Sequence, residues 1–349
     1  MARIRDESEF RARPGKRGSR PRTKQRPAHE QAVAAFVTGV DRGRYTLLLD
    51  EDQPDERPIV AMKARELGRD RVVCGDRVDI VGDVSGDTGS LARIVRITER
   101  SAVLRRTADD TDPYERIIVA NAHQLVVVTA LADPEPRPRM IDRCVVAAYD
   151  AGMRVLLCLT KADLADPEPL VAMYRPLGVD VVVTHRGADG SLDAPSVEAV
   201  RAELEGRISV FVGHSGVGKS TLVNALVPDA RRATGVVNDV TGRGRHTSTS
   251  AVALRLPGRS GWVIDTPGVR SFGLAHVDPH TILAAFEDLD AVADTCPRGC
   301  THLADAPDCE LDVWVVADPD AEVREARATR LDSCRRLLTA RTEAVGRPE

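Results

Sequence analysis

The hydrophobic pattern changes its period along the chain. Between residues 31 and 99 the apolar positions come in short β-branched runs at 32–40, 45–49, 58–62, 78–81 and 91–97, divided by turn residues at 41–43, 50–55 and 82–89. About five antiparallel strands in some seventy residues predict a small barrel of the OB type over residues 31–104. After a polar stretch at 105–114, read as a linker, the runs become continuously apolar. These predict buried strands at 117–120, 125–128, 154–160, 181–183, 208–212 and 261–264, with a helix at 140–151, the signature of an α/β sheet. Acidic helical sequence at 281–289 and an Arg-rich helix at 321–340 follow.

Chemistry enters where strand 208–212 runs directly into Gly213, His214, Ser215, Gly216, Val217, Gly218, Lys219, Ser220 and Thr221, which satisfies GxxxxGK[ST]. The glycines let successive N–H groups curl around phosphate oxygens, Lys219 adds a point charge, and Ser220 offers a hydroxyl to Mg²⁺. A helix opening at Thr221 presents its positive end to the anion. A strand before and a helix after is the context this motif requires.

Upstream, strand 154–160 ends in Thr160, Lys161, Ala162 and Asp163, which fits [NT]KxD at the carboxyl end of a sheet strand, where α/β folds bind ligands. An Asp there accepts from guanine N1–H and N2–H, a pattern adenine lacks, while the Lys stem covers the base. The chain has five lysines, Lys16, Lys24, Lys63, Lys161 and Lys219, and none follows the phosphate loop. Guanine reading through this motif therefore falls on Lys161 and Asp163, ahead of the phosphate loop, and the order of motifs is circularly permuted. Thr184, at the end of the next strand, takes the place of the small residue that backs the base.

Downstream, the Gly/Arg/Thr stretch 241–250 suits a switch segment closing on Mg²⁺ and the γ-phosphate, with Thr247 as first choice of ligand and Thr249 as second. Asp265, Thr266, Pro267 and Gly268 form DxxG: the Asp for Mg²⁺, the Gly N–H for the γ-phosphate. Val269 follows where many GTPases place a water-orienting Gln, so intrinsic hydrolysis is expected to be slow, with His246 or an element of a partner as the candidates for that role.

Seven cysteines are present, and Cys296, Cys300 and Cys309 lie close together with His302. Three thiolates and an imidazole within fourteen residues form a closed tetrahedral donor set, predicting one structural Zn²⁺ in a reducing compartment. Arg324, Arg327, Arg330, Arg335, Arg336 and Arg341 give the last helix a partly basic face that reads as an RNA contact or as a solvated surface.

The net charge of −4 conceals an asymmetry: residues 1–28 carry ten basic and three acidic side chains, +7, leaving −11 for the rest. This Pro-containing arm is expected to be disordered alone, serving either as a nucleic-acid contact or as a solubilising tail. No apolar run reaches the roughly 20 residues that span a bilayer, and no apolar segment follows the Arg-rich N-terminus, so a cytoplasmic protein without membrane association is expected.

In this order the motifs, with the cysteine–histidine cluster behind them, resemble those of the circularly permuted RsgA (YjeQ) family of ribosome small subunit-dependent GTPases, over about residues 31–340. Behind the basic tail that composition predicts to be disordered (1–30), which lies outside the resemblance, the resemblance implies an OB-fold RNA-binding domain (31–104), a circularly permuted P-loop GTPase (105–275) and a C-terminal helical zinc domain (276–349). It further implies a monomer that binds the 30S subunit and its rRNA during late maturation, turns GTP into GDP and phosphate when the subunit stimulates it, and uses His246 as the catalytic residue. Two departures stand out. The zinc spacing is C-x3-C-x-H-x6-C where the family has C-x4-C-x-H-x5-C, and Cys334 stands where a Tyr is expected. A nucleotide-gated RNA-binding module, in which hydrolysis is incidental, is the competing reading; an ATP-using enzyme is disfavoured by Asp163.

Overall fold

Alternation builds the barrel. In β2 (Arg44–Leu49), β3 (Arg57–Lys63) and β4 (Arg77–Gly82) every second side chain turns inward, while β1 (Val33–Asp41) and β5 (Ala92–Ile97) also bury adjacent residues, Ala35 to Val37 and Ile94 with Val95; Val37, Leu47, Leu49, Ile59, Ala61, Val78, Ile80, Ala92 and Ile94 lie at its centre. The strands pair in the order β1-β2-β3-β5-β4, and β4 closes back on β1, with only β3–β5 parallel. That is the OB topology. The computed structural model describes residues 29–107, 115–187, 189–228, 251–266, 272, 274 and 277–345. His246, Thr247, Thr249, Gly268 and the basic arm at 1–28 lie outside the described residues.

A second sheet is laid against the barrel edge. β8 (Gln124–Ala130), β9 (Arg154–Thr160), β10 (Asp180–Val183), β11 (Ile208–Val212) and β13 (Trp262–Asp265) run parallel in the order β10-β9-β8-β11-β13. β12 (Val252–Arg255) adds antiparallel to β13 and meets β1 at Gly39↔Val252, so both sheets form one eleven-stranded surface. β8 and β11 are buried along their whole length, as both faces are covered. The one polar side chain at the start of β8, Gln124, donates to Ser209 Oγ (2.8 Å) and the Glu203 carbonyl (3.0 Å). Connections run through α1 (Pro138–Asp150), α2 (Glu168–Tyr174) and α3 (Ala194–Leu204), and β11 leads into α4 (Lys219–Leu226).

The barrel is joined to this sheet by packing and by charge. Phe36 is fully buried with its ring 5.0 Å from that of Trp262. The turn after β2 supplies Asp52 and Glu56 to Arg255 and Glu51 to Arg77, while Trp262 Nε1 donates to Glu51 (3.0 Å). Of the two aromatic residues in the barrel, Phe36 is therefore spent on the junction and Tyr45 is only 8% exposed, so neither offers an open face for stacking on a base.

Three expectations need correction. The supposed linker begins as strand: β6 (Val103–Thr107) pairs antiparallel with β7 (Glu115–Ala120) in a separate two-stranded ribbon, so the run at 117–120 belongs to a hairpin and not to the central sheet. The helix expected at 281–289 is two, α5 (Pro279–Ala284) and α6 (Glu287–Ala293), because Phe286 leaves helical geometry to bury its ring edge-on against Tyr149. α7 (Glu310–Val316) and α8 (Ala321–Val345) complete the chain. The six arginines of α8 do not form a free basic face. Arg324 donates to the Asp318 and Pro319 carbonyls, Arg327 pairs with Asp318, Arg330 with Asp288, Arg335 with Asp312, and Arg336 with Asp142, while Arg341 donates to the Val277 carbonyl. Cys334 is buried beside Leu331, Leu337 and Leu338 in the core shared with β8 and β9, so its position is one of packing. Among the described residues no helix is long and apolar enough to cross a membrane.

Candidate nucleotide site and metal centre

β8 is flanked by β9 on one side and β11 on the other, so the chain leaves its carboxyl end in one direction and returns on the other side. Such a switch point opens a crevice beyond the strand ends. Both nucleotide motifs lie there. Gly213 leaves β11 so close to β8 that a Cβ on it would sit 2.6 Å from the Val128 carbonyl oxygen. Gly216 (φ 87°) and Gly218 (φ 92°) adopt left-handed geometry that L side chains resist, and Gly218 caps α4, accepting the first helical bond from Leu222 N–H at 2.9 Å. Ser215, Ser220 and Thr221 are exposed, whereas Val217 is buried and contributes its backbone. The His214 ring Nδ1 lies 3.1 Å from the Ser215 carbonyl oxygen.

The tetrapeptide expected to read the base is tied physically to this loop. Thr160 is buried, and its hydroxyl donates to the Val217 carbonyl at 2.6 Å. Its side chain is turned into the protein, so within the expected nucleotide set it is a positioning residue. Replacing it by Val keeps the shape but leaves a buried carbonyl without its donor, which costs about 1–3 kcal/mol. We expect Thr160→Val to weaken guanine-nucleotide binding about tenfold in a fluorescence titration while far-UV circular dichroism is unchanged; unaltered binding would show that the loop does not depend on this bond.

Lys161 takes a left-handed backbone (φ 61°), and its ammonium donates to the Asp133 carbonyl at the end of β8. Ala162 N–H donates to the Thr184 carbonyl at 3.2 Å, and Thr184 N–H to the Leu159 carbonyl at 2.7 Å, fastening the motif to the strand beside it. Asp163 is exposed and accepts from the backbone N–H of Arg186 at 3.1 Å, which fixes one carboxylate oxygen. Sequence reasoning did not find Asp133 or Arg186; the Pro-rich loop Asp133-Pro134-Glu135-Pro136 at a strand's carboxyl end was the available signal for the first.

On the phosphate side, Lys219 and Asp265 are mutual counter-ions, the ammonium contacting Asp265 Oδ1. This brings the loop lysine to the DxxG aspartate, 46 residues on. Thr266 donates to the Phe211 carbonyl at 2.7 Å and pins the start of that motif to β11. Beyond it the chain is held again: Arg143 of α1 donates to the Phe272 carbonyl (3.1 Å), Phe272, Leu274 and Val277 are buried, and Arg341 of α8 donates to the Val277 carbonyl.

A second constellation lies between α6 and α7. The ligand atoms of Cys296, Cys300, His302 and Cys309 all fall within 4.8 Å of one another, a spacing that a single tetrahedral ion can bridge. His302 has a left-handed backbone (φ 57°), and its N–H points at Cys300 Sγ (3.4 Å), a contact that favours the thiolate. Burial, followed by the charges of His280 and Arg335, lowers the His302 pKa and keeps the imidazole in its neutral ligand form. Burial pushes the Cys296 thiol up to about 11, with the neighbouring Cys309 and Cys300 adding to the shift and the Glu310 backbone opposing it. Crowded thiolates of this kind call for a cation. Arg335 braces the centre from α8, donating to the His302 carbonyl (3.1 Å) and forking onto Asp312 with two 2.8 Å bonds. The sequence offered Arg335 only as one of a row of arginines.

Comparison with known proteins agrees with this arrangement. Residues 97–275 match the RsgA GTPase family. The small ribosomal subunit biogenesis GTPase RsgA of Pseudomonas syringae pv. syringae is 41% identical over 249 residues, covering 69% of this chain and 68% of that protein. The protein of the same description from Marinobacter nauticus is 33% identical over 341 residues, covering 93% and 91%. In fold, the chain resembles the crystal structure of YjeQ from Thermotoga maritima (TM-score 0.62, 24% identity, 91% of this chain and 100% of that one) and YloQ, a circularly permuted GTPase (TM-score 0.61, 19% identity, 92% and 98%). The chain belongs to the RsgA GTPase family, and it is a circularly permuted, GTP-hydrolysing enzyme.

Proposed function

We propose that this GTPase acts in late maturation of the small ribosomal subunit, binding the 30S particle and its rRNA and hydrolysing GTP to GDP and phosphate under stimulation by that particle. The observation that carries the nucleotide part is the Thr160–Val217 bond, which sets a guanine-reading tetrapeptide against a phosphate loop. The ribosomal part is supported by the relatives' description as small ribosomal subunit biogenesis GTPases.

In this reading Asp163 takes the guanine edge, Lys161 and Ala162 line the base, and the N–H groups from Gly213 to Thr221 together with Lys219 receive the phosphates. Ser220, Thr247 and Asp265 are the residues that would hold Mg²⁺, which when bound neutralises phosphate charge. Gly268 contributes its N–H to the γ-phosphate, and His246 orients water. Because Val269 follows Gly268 in place of a Gln, turnover waits for the particle. The Cys₃His cluster takes one structural Zn²⁺. The protein works as a monomer in the cytoplasm.

The test is GTP turnover with and without purified 30S subunits. The wild type is expected to accelerate by about 100-fold or more, in the range of groups supplied in trans to GTPases. Lys219→Ala should lose activity in both conditions, whereas His246→Ala should retain GTP binding and lose the stimulated rate. Equal rates with and without subunits would sink the ribosomal reading and leave a GTPase with another partner.

A further inference from the structure

Between the barrel and the β6–β7 ribbon lies a cleft of about 370 Å³ whose lining includes neither the phosphate loop 213–221 nor the tetrapeptide 160–163. Among the described residues its charged lining is cationic: Lys63 of β3, Arg71 of the loop before β4, Arg106 of β6 and Arg116 of β7. Asp76, whose charge is felt by Tyr45 and Cys74 of the wall, is fully buried and held by Arg100 at 2.7 and 2.9 Å. The two other titratable groups of the wall, the Tyr45 phenol and the Cys74 thiol, are kept neutral by burial, the thiol pushed up to about 12.

Two details separate this cleft from a patch of solvated surface. Arg106 Nε is buried and has no hydrogen-bond partner among the described residues. A buried guanidinium N–H left this way is costly, and an anion in the cleft would satisfy it. Lys63 is not a freely rotating surface amine: its ammonium is held by the Gly68 and Asp70 carbonyls at 2.9 and 2.8 Å, leaving one N–H to donate elsewhere. The remaining wall is apolar, from Val72, Val73, Ile117 and Ile118. Cations around an apolar wall, in a volume of small-ligand size, match an organic phosphate.

We propose that this cleft is a second binding site, for a small phosphorylated ligand, distinct from the GTP site. It also reaches Thr266, the neighbour of Asp265, so its occupant would touch the start of the DxxG segment. A nucleic-acid backbone is the other source of phosphate. The small volume and the buried floor, with Cys74 1% and Tyr45 8% exposed, favour a small molecule over a polymer.

The test uses full-length protein loaded with GDP and Mg²⁺, so that the phosphate loop is filled, titrated calorimetrically with inorganic pyrophosphate and with ADP. Uptake of either by the loaded protein is expected, weakened tenfold or more in Arg106→Gln and in Arg116→Gln. Both variants should bind GDP as the wild type does, which verifies their folding. Nucleotide-free Lys219→Ala should keep this second uptake, since its lesion lies in the phosphate loop. Absence of uptake by the GDP-loaded protein, or loss in Lys219→Ala but not in Arg106→Gln, overturns the proposal. It is equally overturned if a single-stranded RNA oligonucleotide binds in an Arg106-dependent way while neither small phosphate does. None of these results depends on whether 30S particles stimulate turnover.

Discussion

Asp163→Asn is expected to lower GTP affinity by about 10²–10⁴-fold and to confer binding of XTP, measured by competition against a fluorescent nucleotide. A carboxylate at this point accepts two N–H groups from guanine, and an amide can accept only one while presenting an N–H of its own to the other. Xanthine carries a carbonyl where guanine carries the amino group and so meets that donor. Sites built around paired hydrogen bonds discriminate by large factors because a mismatch leaves polar groups unpaired. The structure makes the substitution a clean one. Asp163 Oδ1 accepts from the Arg186 backbone N–H, and the Asn amide oxygen can take over that bond, so the loop is retained while the base edge changes. Lys161 remains fixed on the Asp133 carbonyl in either case. Unchanged GTP preference would place guanine recognition elsewhere.

That the test can be named at all follows from features legible in the sequence. A strand running straight into Gly213 announces a phosphate loop because its glycine geometry is a local requirement, and the left-handed Gly216 and Gly218 meet it. The order of motifs followed from where the lysines are. Barrel strands were readable because alternation is a property of neighbouring residues. What escaped depends on partners far along the chain. β12 has four residues, too few to show a period, and it exists because β13 and β1 flank it. The second half of β6 is polar, with Arg105 and Arg106, which read as a linker until their pairing with Ile117 and Arg116 is seen. The α8 arginines look like a nucleic-acid face in one dimension, yet each has an acid or a carbonyl waiting, as Arg336 has in Asp142, where Tyr174 also donates at 3.0 Å. Thr160 was read as touching nucleotide from its place in a motif, and only the proximity of β9 and β11 across β8 shows that its hydroxyl is engaged by the loop.

Metal removal should produce the second large effect. Stripping the protein with a strong chelator, or making Cys309→Ser, is expected to abolish one equivalent of bound zinc and to lower the thermal midpoint substantially. Structural Zn²⁺ contributes roughly 10–16 kcal/mol of apparent folding free energy in isolated fingers at neutral pH. Here part of the fold is expected to survive its loss, because α8 is anchored independently through Leu331, Leu337 and Leu338 in the core and on the GTPase body through Arg330, which donates to the Pro176 carbonyl, and Arg336, which pairs with Asp142. The segment bearing the four ligands has less to fall back on: Cys296 and Cys300 are only partly buried, and the Arg335 brace grips the carbonyl of His302, itself one of the four. Loss of metal should therefore show as faster amide exchange across residues 296–309 with β8 and β9 still protected. The pH dependence has a definite sign. Without metal the Cys296 thiol titrates at about 11, so at pH 7 it is protonated, and zinc uptake must expel that proton; affinity falls as the pH is lowered. Proton release on adding zinc, read with an indicator dye in weak buffer, measures this directly. Cys334→Ser, a buried cysteine of the same core outside the cluster, should keep its zinc. A Cys309→Ser protein with full zinc content, or a metal-free wild type with an unshifted midpoint, would remove the metal from the fold's foundation and leave the four residues as packed side chains.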